Sequence, residues 1–319
     1  MRRRTLLAVA LALPAVARAQ TWAPDRPIRV VVPFGAGGPT DVVARLLAEP
    51  VSQSLGQPLV IENRPGAGGN LGTRIVATAA PDGHTLVLNA SSPLVINQFL
   101  YRDMGYDPFA SLAPISLLAT GPLLVVAHPR APFNTMGELI AEARRRPGAL
   151  NYASAGNGTV PHLATELLIR ATGIQLTNVT YRQTPDATQS VMRGETAFFF
   201  DSPQSITHVR AGTLKALAVT TPRRFTPFPE IPTVAESGGP EIAAEAWYGL
   251  LAPAGTPPAA IARLHETFAA ALRRPEVASR ITTLGFEPVG GTPADFAAFM
   301  AAEASKWRDV IAGAGIRIE

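Results

Sequence analysis

At 319 residues and 47% hydrophobic content, the chain is long enough for two ordinary domains and too apolar to be disordered. It has no cysteine, which excludes disulfides, thiolate metal sites and a cysteine nucleophile. The formal charge of +4 sits at the start: residues 1–19 hold four of the 28 Lys and Arg and none of the 24 Asp and Glu, so the remainder is balanced at 24 of each. Nucleic-acid binding, which needs a retained basic face, loses its support.

The first segment reads as a secretory signal peptide, residues 1–19. Arg2-Arg3-Arg4 is a basic n-region, Thr5 to Leu13 is apolar but too short to span a bilayer, and Ala17-Arg18-Ala19 is an A-x-A cleavage pattern. Cleavage after Ala19 predicts an exported chain beginning at Gln20. Arg3-Arg4 before Thr5-Leu6-Leu7 also loosely resembles a twin-arginine signal, so the export route stays open between the two. The alternative is a buried N-terminal helix. No later stretch has the ~20 apolar residues of a transmembrane helix.

From there strand-like and helix-like segments alternate. Ile28–Val32 predicts a strand, Asp41–Leu55 a helix, Leu59–Asn63 a strand, Gly72–Ala79 a helix and Thr85–Asn89 a strand. Ser91-Ser92-Pro93 opens another helix. This rhythm argues for a parallel, doubly wound α/β sheet. Leu123–Ala127 is a strand ending at His128-Pro129, where a second α/β set begins. Thr135 caps a helix over Met136–Arg145, Leu150–Ala153 is a strand, and Pro161–Thr172 a helix. Thr196–Phe200 and Leu214–Val219 are strands. Thr220 to Pro232, with four prolines, is an extended crossing segment. Trp247–Ala252 is a strand, and Pro257–Leu272 and Pro293–Ala312 are amphipathic helices.

The most informative stretch is Pro33-Phe34-Gly35-Ala36-Gly37-Gly38-Pro39-Thr40-Asp41. A strand, a glycine turn and a helix start bring free N–H groups and the positive end of a helix dipole to one spot, which makes an anion site. Arg64 to Gly72 is a second glycine turn, and Ser154-Ala155-Gly156-Asn157-Gly158-Thr159 a third. Ligands in doubly wound sheets bind beyond the carboxyl ends of the strands. Two such turns from different domains would face each other across a cleft.

Catalytic signatures fail. No G-x-x-x-x-G-K is present, the first turn breaks the dinucleotide fingerprint at Thr40, Ala269 stands where a zinc-binding partner of His265 would be needed, and no serine occupies a G-x-S-x-G elbow. No metal or cofactor is expected. Three residues keep two readings each. His162 hydrogen-bonds a ligand or stabilises its own turn. Asp41 caps its helix or acts as a general base. Asp201 accepts from a ligand or from its own turn.

The chain resembles the tripartite tricarboxylate transporter substrate-binding receptors, the Bug-type periplasmic receptors, over its whole length. The resemblance rests on Val32 to Asp41, Glu62 to Asn70, Pro81-Asp82-Gly83-His84-Thr85-Leu86, Ser154 to Thr159 with His162-Leu163, Pro229 to Glu236, and Trp247-Tyr248-Gly249-Leu250 with Ala252 to Pro257. It implies a type II periplasmic binding protein, a two-domain Venus flytrap. Each domain would be a doubly wound, mainly parallel sheet flanked by helices. Residues 20–123 with 228–319 would form one domain and 124–227 the other.

The family also implies a small carboxylate-bearing ligand held in the cleft by backbone amides and water, with no obligatory arginine. One jaw would be Phe34, Gly35, Ala36, Gly37, Gly38, Thr40 and Asp41, joined by Ser91. The other would be Ser154, Gly156, Asn157, Thr159 and His162, with Tyr181 and Asp201 lining the second domain's side. Where the family usually has Tyr-Lys-Gly, this chain has Tyr181-Arg182-Gln183. Gln183 and Arg182 add side chains near the expected pocket edge, where Arg182 pairs with a distal carboxylate or is solvated. The expected function is capture by domain closure and delivery to membrane permease subunits, by a monomer that is not an enzyme. The alternatives are a sensor that presents its ligand to a signalling partner, or a periplasmic hydrolase or isomerase using Asp201 and His162.

Overall fold

The valine-rich run after Pro27 forms a strand buried on both faces, β1 (Ile28–Val32), as a central parallel strand should be. A computed structural model describes residues 22–314; the expected signal peptide lies outside the described residues. The chain continues through α1 (Pro39–Leu55), β2 (Leu59–Asn63), α2 (Asn70–Ala77), β3 (Thr85–Ala90) and β4 (Leu112–Pro122). A second set follows: β5 (Leu124–Ala127), α3 (Met136–Arg145), β6 (Asn151–Ser154), α4 (Val160–Thr172), β7 (Thr177–Thr180), α5 (Thr184–Met192), β8 (Phe198–Asp201), α6 (Ile206–Arg210) and β9 (Lys215–Val219). The chain then returns through β10 (Glu245–Pro253), α7 (Pro258–Leu272), α8 (Pro275–Thr283), β11 (Glu287–Pro288) and α9 (Pro293–Ala314).

Two sheets result, each flanked by helices, in a two-domain α/β fold. One is six-stranded in the order β11-β4-β10-β3-β1-β2, the other five-stranded in the order β7-β6-β8-β5-β9. Both are mixed. Parallel pairs join β1 to β2 and β3, and β6 to β7 and β8, where helices make the crossovers. The remaining pairs, β10 with β3 and β4, β11 with β4, and β5 with β8 and β9, are antiparallel. A strand arriving from the other sheet without a helical crossover enters its new sheet from the opposite end, which makes it antiparallel.

The two crossing points are tied together. Leu123 alone separates β4 from β5, and its N–H donates to Thr220 Oγ1 at 2.8 Å. The Thr220 N–H donates to Leu123 O at 3.1 Å, and the Ala244 N–H to Thr220 O at 3.3 Å. Thr220 is fully buried, so both passages between the sheets share one hydrogen-bonded knot.

Packing follows the strand period. Phe198 and Phe200 face one side of the second sheet with Tyr152, while Phe199 faces the other with Leu124 and Ile206. In the first sheet Trp247 stacks edge-on to Phe296 and Phe299 of α9, and its indole N–H donates to Glu303. Gly249 beside it is obligatory, because a Cβ there would lie 2.0 Å from the Phe296 ring. Most expected elements occur within two residues of the sequence reading. The helix expected at Ser91 is instead one wide turn over Ser92–Ile96 followed by a tight one over Asn97–Phe99. Strand β4, the β7 edge, α5, α6, α8 and β11 were not foreseen.

Candidate functional site

Phe34 and the glycines after it leave the carboxyl end of β1 and turn into α1. Gly38 is the extended N-cap, and Pro39 takes the first helical position, where a missing N–H costs nothing. Gly37 lies in the left-handed region at φ +78°, and its N–H donates to Asp41 Oδ2 at 2.9 Å. Asp41 also accepts from Arg45 Nε at 2.9 Å and Asn63 Nδ2 at 3.0 Å. Burial opposes its charge, but the bonds from Arg45, the Gly37 amide and Asn63 outweigh it and hold the carboxyl below its ordinary pKa. Asp41 therefore locks its own turn.

The third glycine turn repeats this design. Gly158 lies at φ +77°, and its N–H donates to His162 Nδ1 at 3.2 Å. The Gly38 N–H bonds Gly35 O at 3.3 Å, and the Thr159 N–H bonds Gly156 O at 3.4 Å. Gly35, Gly37 and Asp41 thus correspond in spacing and role to Gly156, Gly158 and His162. Burial, opposed by the charge of Glu166, holds His162 below its ordinary pKa and so in the neutral form that can accept at Nδ1. Glu166 Oε1 lies 3.7 Å from His162 Nε2 and accepts the Tyr152 hydroxyl at 2.8 Å.

A third helix start, that of α5, has Gln183 as N-cap and Pro185 at its second position. The starts of α1, α4 and α5 converge on one cavity of about 90 Å³ between the two sheets. The first sheet's side is lined by Phe34, Gly35, Gly38, Pro39 and Thr40, by Ala90, Ser91 and Ser92, and by Ala246, Trp247 and Tyr248. The second sheet's side presents Thr159, Val160 and Pro161, then Arg182 to Pro185 and Ser202. Leu123, at the crossing, forms part of the floor.

The first helical hydrogen bonds are Val42 N–H to Gly38 O, Leu163 N–H to Thr159 O and Ala187 N–H to Gln183 O. The amides of Thr40 and Asp41, Val160 and His162, and Thr184 and Asp186 precede them and donate to no helix carbonyl. Three positive helix ends therefore face a space whose only lining cation, among the described residues, is the exposed Arg182. Hydroxyls and the Gln183 side chain add polarity, and Phe34, Leu123 and Trp247 supply an apolar wall.

Of the residues expected from sequence, Phe34, Gly35, Gly38, Thr40, Ser91, Thr159 and Arg182 line this cavity. Ala36 is exposed on the turn. Asp41, Gly156 and His162 stand behind the turns as described. Ser154 is buried with its hydroxyl toward Thr180, and Asn157 Oδ1 accepts from Asn178 and Thr180 at the sheet edge. Tyr181 packs on the second sheet's core.

Gly37 and Asp201 line a neighbouring cavity of about 230 Å³. Asp201 is fully buried and accepts from Thr188 Oγ1 at 2.6 Å, from Ser205 Oγ and from the Ser202 N–H at 2.7 Å. Burial pushes its pKa up to about 6 against those three donors. Among the described residues, Asp201 bonds Thr188, Ser202 and Ser205, while His162 bonds the Gly158 amide and faces Glu166.

Sequence reasoning missed Ser92, Thr184, Pro185, Ser202, Trp247 and Tyr248, while Gln183, expected at the pocket edge, lies in the lining. Tyr248 lies beside Ala90 in the β3–β10 register, and its phenol is raised above its ordinary pKa by burial and by the charge of Asp201. The Trp247-Tyr248 motif was visible in the sequence, but its place in the wall depends on β10 running back beside β3.

Residues 43–316 match the family described as the tripartite tricarboxylate transporter family receptor. The protein BugT of Bordetella pertussis is 37% identical over 298 residues, covering 93% of this chain and 91% of that one. A solved structure of an R. palustris protein with adipate superposes with a TM-score of 0.89 at 36% identity, covering 92% of this chain and 99% of that one. MatC of Rhodopseudomonas palustris with bound malate gives a TM-score of 0.85 at 35% identity, covering 90% and 99%. The periplasmic binding protein BugD gives 0.86 at 32% identity, covering 93% and 100%. The chain belongs to the tripartite tricarboxylate transporter receptor family, whose members are periplasmic substrate-binding receptors.

Proposed function

We propose that this chain, freed of residues 1–19, is a periplasmic receptor that captures one small carboxylate between its two sheets and delivers it to permease subunits in the membrane. The observation that carries this reading is the convergence of three helix N-termini on a cavity that, among the described residues, is lined by no buried cation. An anion bound there would be held by amides of Thr40, Val160 and Thr184 and their neighbours, with hydroxyls and water completing its shell. The adipate and malate found in relatives support a carboxylate. The balanced charge of residues 20–319 supports local dipoles over a long-range field as the source of attraction.

In this reading residues 20–123 with 228–319 move as one domain and 124–227 as the other. The strands of the two sheets fall on those two sides, and the knot at Leu123, Thr220 and Ala244 is the hinge. The ligand stabilises the closed form because it contacts both jaws. Isothermal titration of the purified protein against mono-, di- and tricarboxylates tests this. Micromolar or tighter binding of at least one acid, recovered unchanged, is expected; conversion of the bound acid, or no binding by any, would overturn it.

A further inference from the structure

Gln183 crosses the cleft. It is the N-cap of α5 on the second sheet's side, yet its side chain lies against Gly35 on the first turn, 148 positions earlier in the chain. A Cβ built on Gly35 would stand 2.2 Å from Gln183 Oε1, 2.5 Å from Cδ and 2.9 Å from Cγ. The carboxamide therefore occupies the space that any side chain at position 35 would fill. Both residues line the cavity, and Gln183 is exposed to solvent, so the contact lies where the cavity meets the outside. The backbone of Gln183 is fixed separately, because its carbonyl accepts the Ala187 N–H. The side chain is free to serve as a movable bar across the mouth.

We propose that Gln183 is a latch and a length gauge: its carboxamide seats on Gly35, holds the jaws together and bars ligands whose far end would extend past the first turn. The length gauge rests on the carboxylate-receptor reading; the latch does not. A glycine at 183 would leave the mouth open, so the same cradle would admit longer acids. Gly35 is the matching half of the device. Its φ is not in the left-handed region, so alanine there carries no backbone penalty and its nearest neighbours are atoms of the latch.

A double-mutant cycle with two readouts tests this. The first readout needs no ligand. The chain has no cysteine, so Ser54→Cys on α1 and Ala171→Cys on α4, both exposed, take spin labels cleanly. Gln183→Gly and Gly35→Ala should each broaden the interlobe distance distribution toward longer distances. The double variant should resemble Gln183→Gly alone, because alanine finds nothing left to displace. The second readout is titration with straight-chain dicarboxylates of increasing length. Gln183→Gly should improve the longer acids relative to the shorter by on the order of tenfold, and Gly35→Ala should weaken binding only when Gln183 is present. Unchanged distances in both single variants overturn the latch, and an unchanged length preference overturns the gauge. If the unaltered protein binds no dicarboxylate, the gauge is overturned together with the proposed function, while the distance readout still decides the latch.

Discussion

Asp201 offers a perturbation whose size and sign follow from the structure. Its carboxyl is fully buried, and burial raises its pKa from 3.8 to about 6. In the unfolded chain the group titrates at its ordinary value. Between those two values the native protein holds a proton that the unfolded chain has released, so stability falls as pH rises through the window from 3.8 to about 6. A shift of about two units at about 1.4 kcal/mol each puts the loss near 3 kcal/mol by pH 7. Asp201→Asn removes the titration and keeps an oxygen for the Ser202 amide, while the Thr188 and Ser205 hydroxyls rotate to accept from the new NH₂. Urea denaturation of both proteins at half-unit steps from pH 4 to pH 7.5 measures the effect. The depressed carboxylates Asp41, Glu62 and Asp82 slope the opposite way but are common to both proteins, so the difference curve isolates position 201. The variant should gain on the parent by about 3 kcal/mol across that range. Parallel stability curves would refute the assignment of a buried, proton-holding carboxyl.

Gly37→Val places a β-branched residue at φ +78° in open space, so it should cost about 1–2 kcal/mol of stability while leaving the circular dichroism unchanged. It should also abolish carboxylate binding by distorting the turn; retained affinity would sink the role given to that turn. Arg182 is exposed, so a pair with a distal carboxylate is worth about 0.2–1 kcal/mol. Arg182→Gln should weaken dicarboxylates about 1.4- to fivefold, spare monocarboxylates, and do so less at high salt; equal loss for both classes argues against a distal pair. Because burial holds His162 below 6.5, the native protein takes up its proton later than the unfolded chain, and stability is lost as pH falls below 6.5. Protonation also removes the acceptor for the Gly158 N–H, so affinity in the parent should fall in acid more steeply than in His162→Asn; superimposable affinity–pH profiles would contradict the lock.

The parts legible in the sequence were those with strong local signals. Ile28–Val32 is a continuous apolar run and Pro33 to Asp41 a dense glycine and proline turn, so strand, turn and helix followed directly. β4 hid because Pro114 interrupts it; that residue pairs with Leu251 where the register shifts, so the proline is absorbed by an irregularity in the ladder. β7 is an edge strand of Thr177-Asn178-Val179-Thr180 with no buried residue, and α5 buries only Ala187, Thr188, Ser190 and Val191, so neither showed an apolar pattern. In the site, the shared spacing of Gly37 with Asp41 and of Gly158 with His162 was present in the sequence. The equivalence emerges only when both side chains are seen accepting a glycine N–H four residues earlier. The reach of Gln183 to Gly35 was not legible at all, because it depends on how closely two separate sheets approach.

The most direct measurement is a crystal structure of the protein with its bound acid, either carried from cells or supplied from the titration panel. A carboxylate oxygen should lie about 2.7–3.2 Å from the amide nitrogens at the starts of α1 and α4, such as Thr40 and Val160, with no arginine nitrogen in contact with that group. A carboxylate seated on Arg182 and clear of all three helix starts would contradict recognition by backbone dipoles.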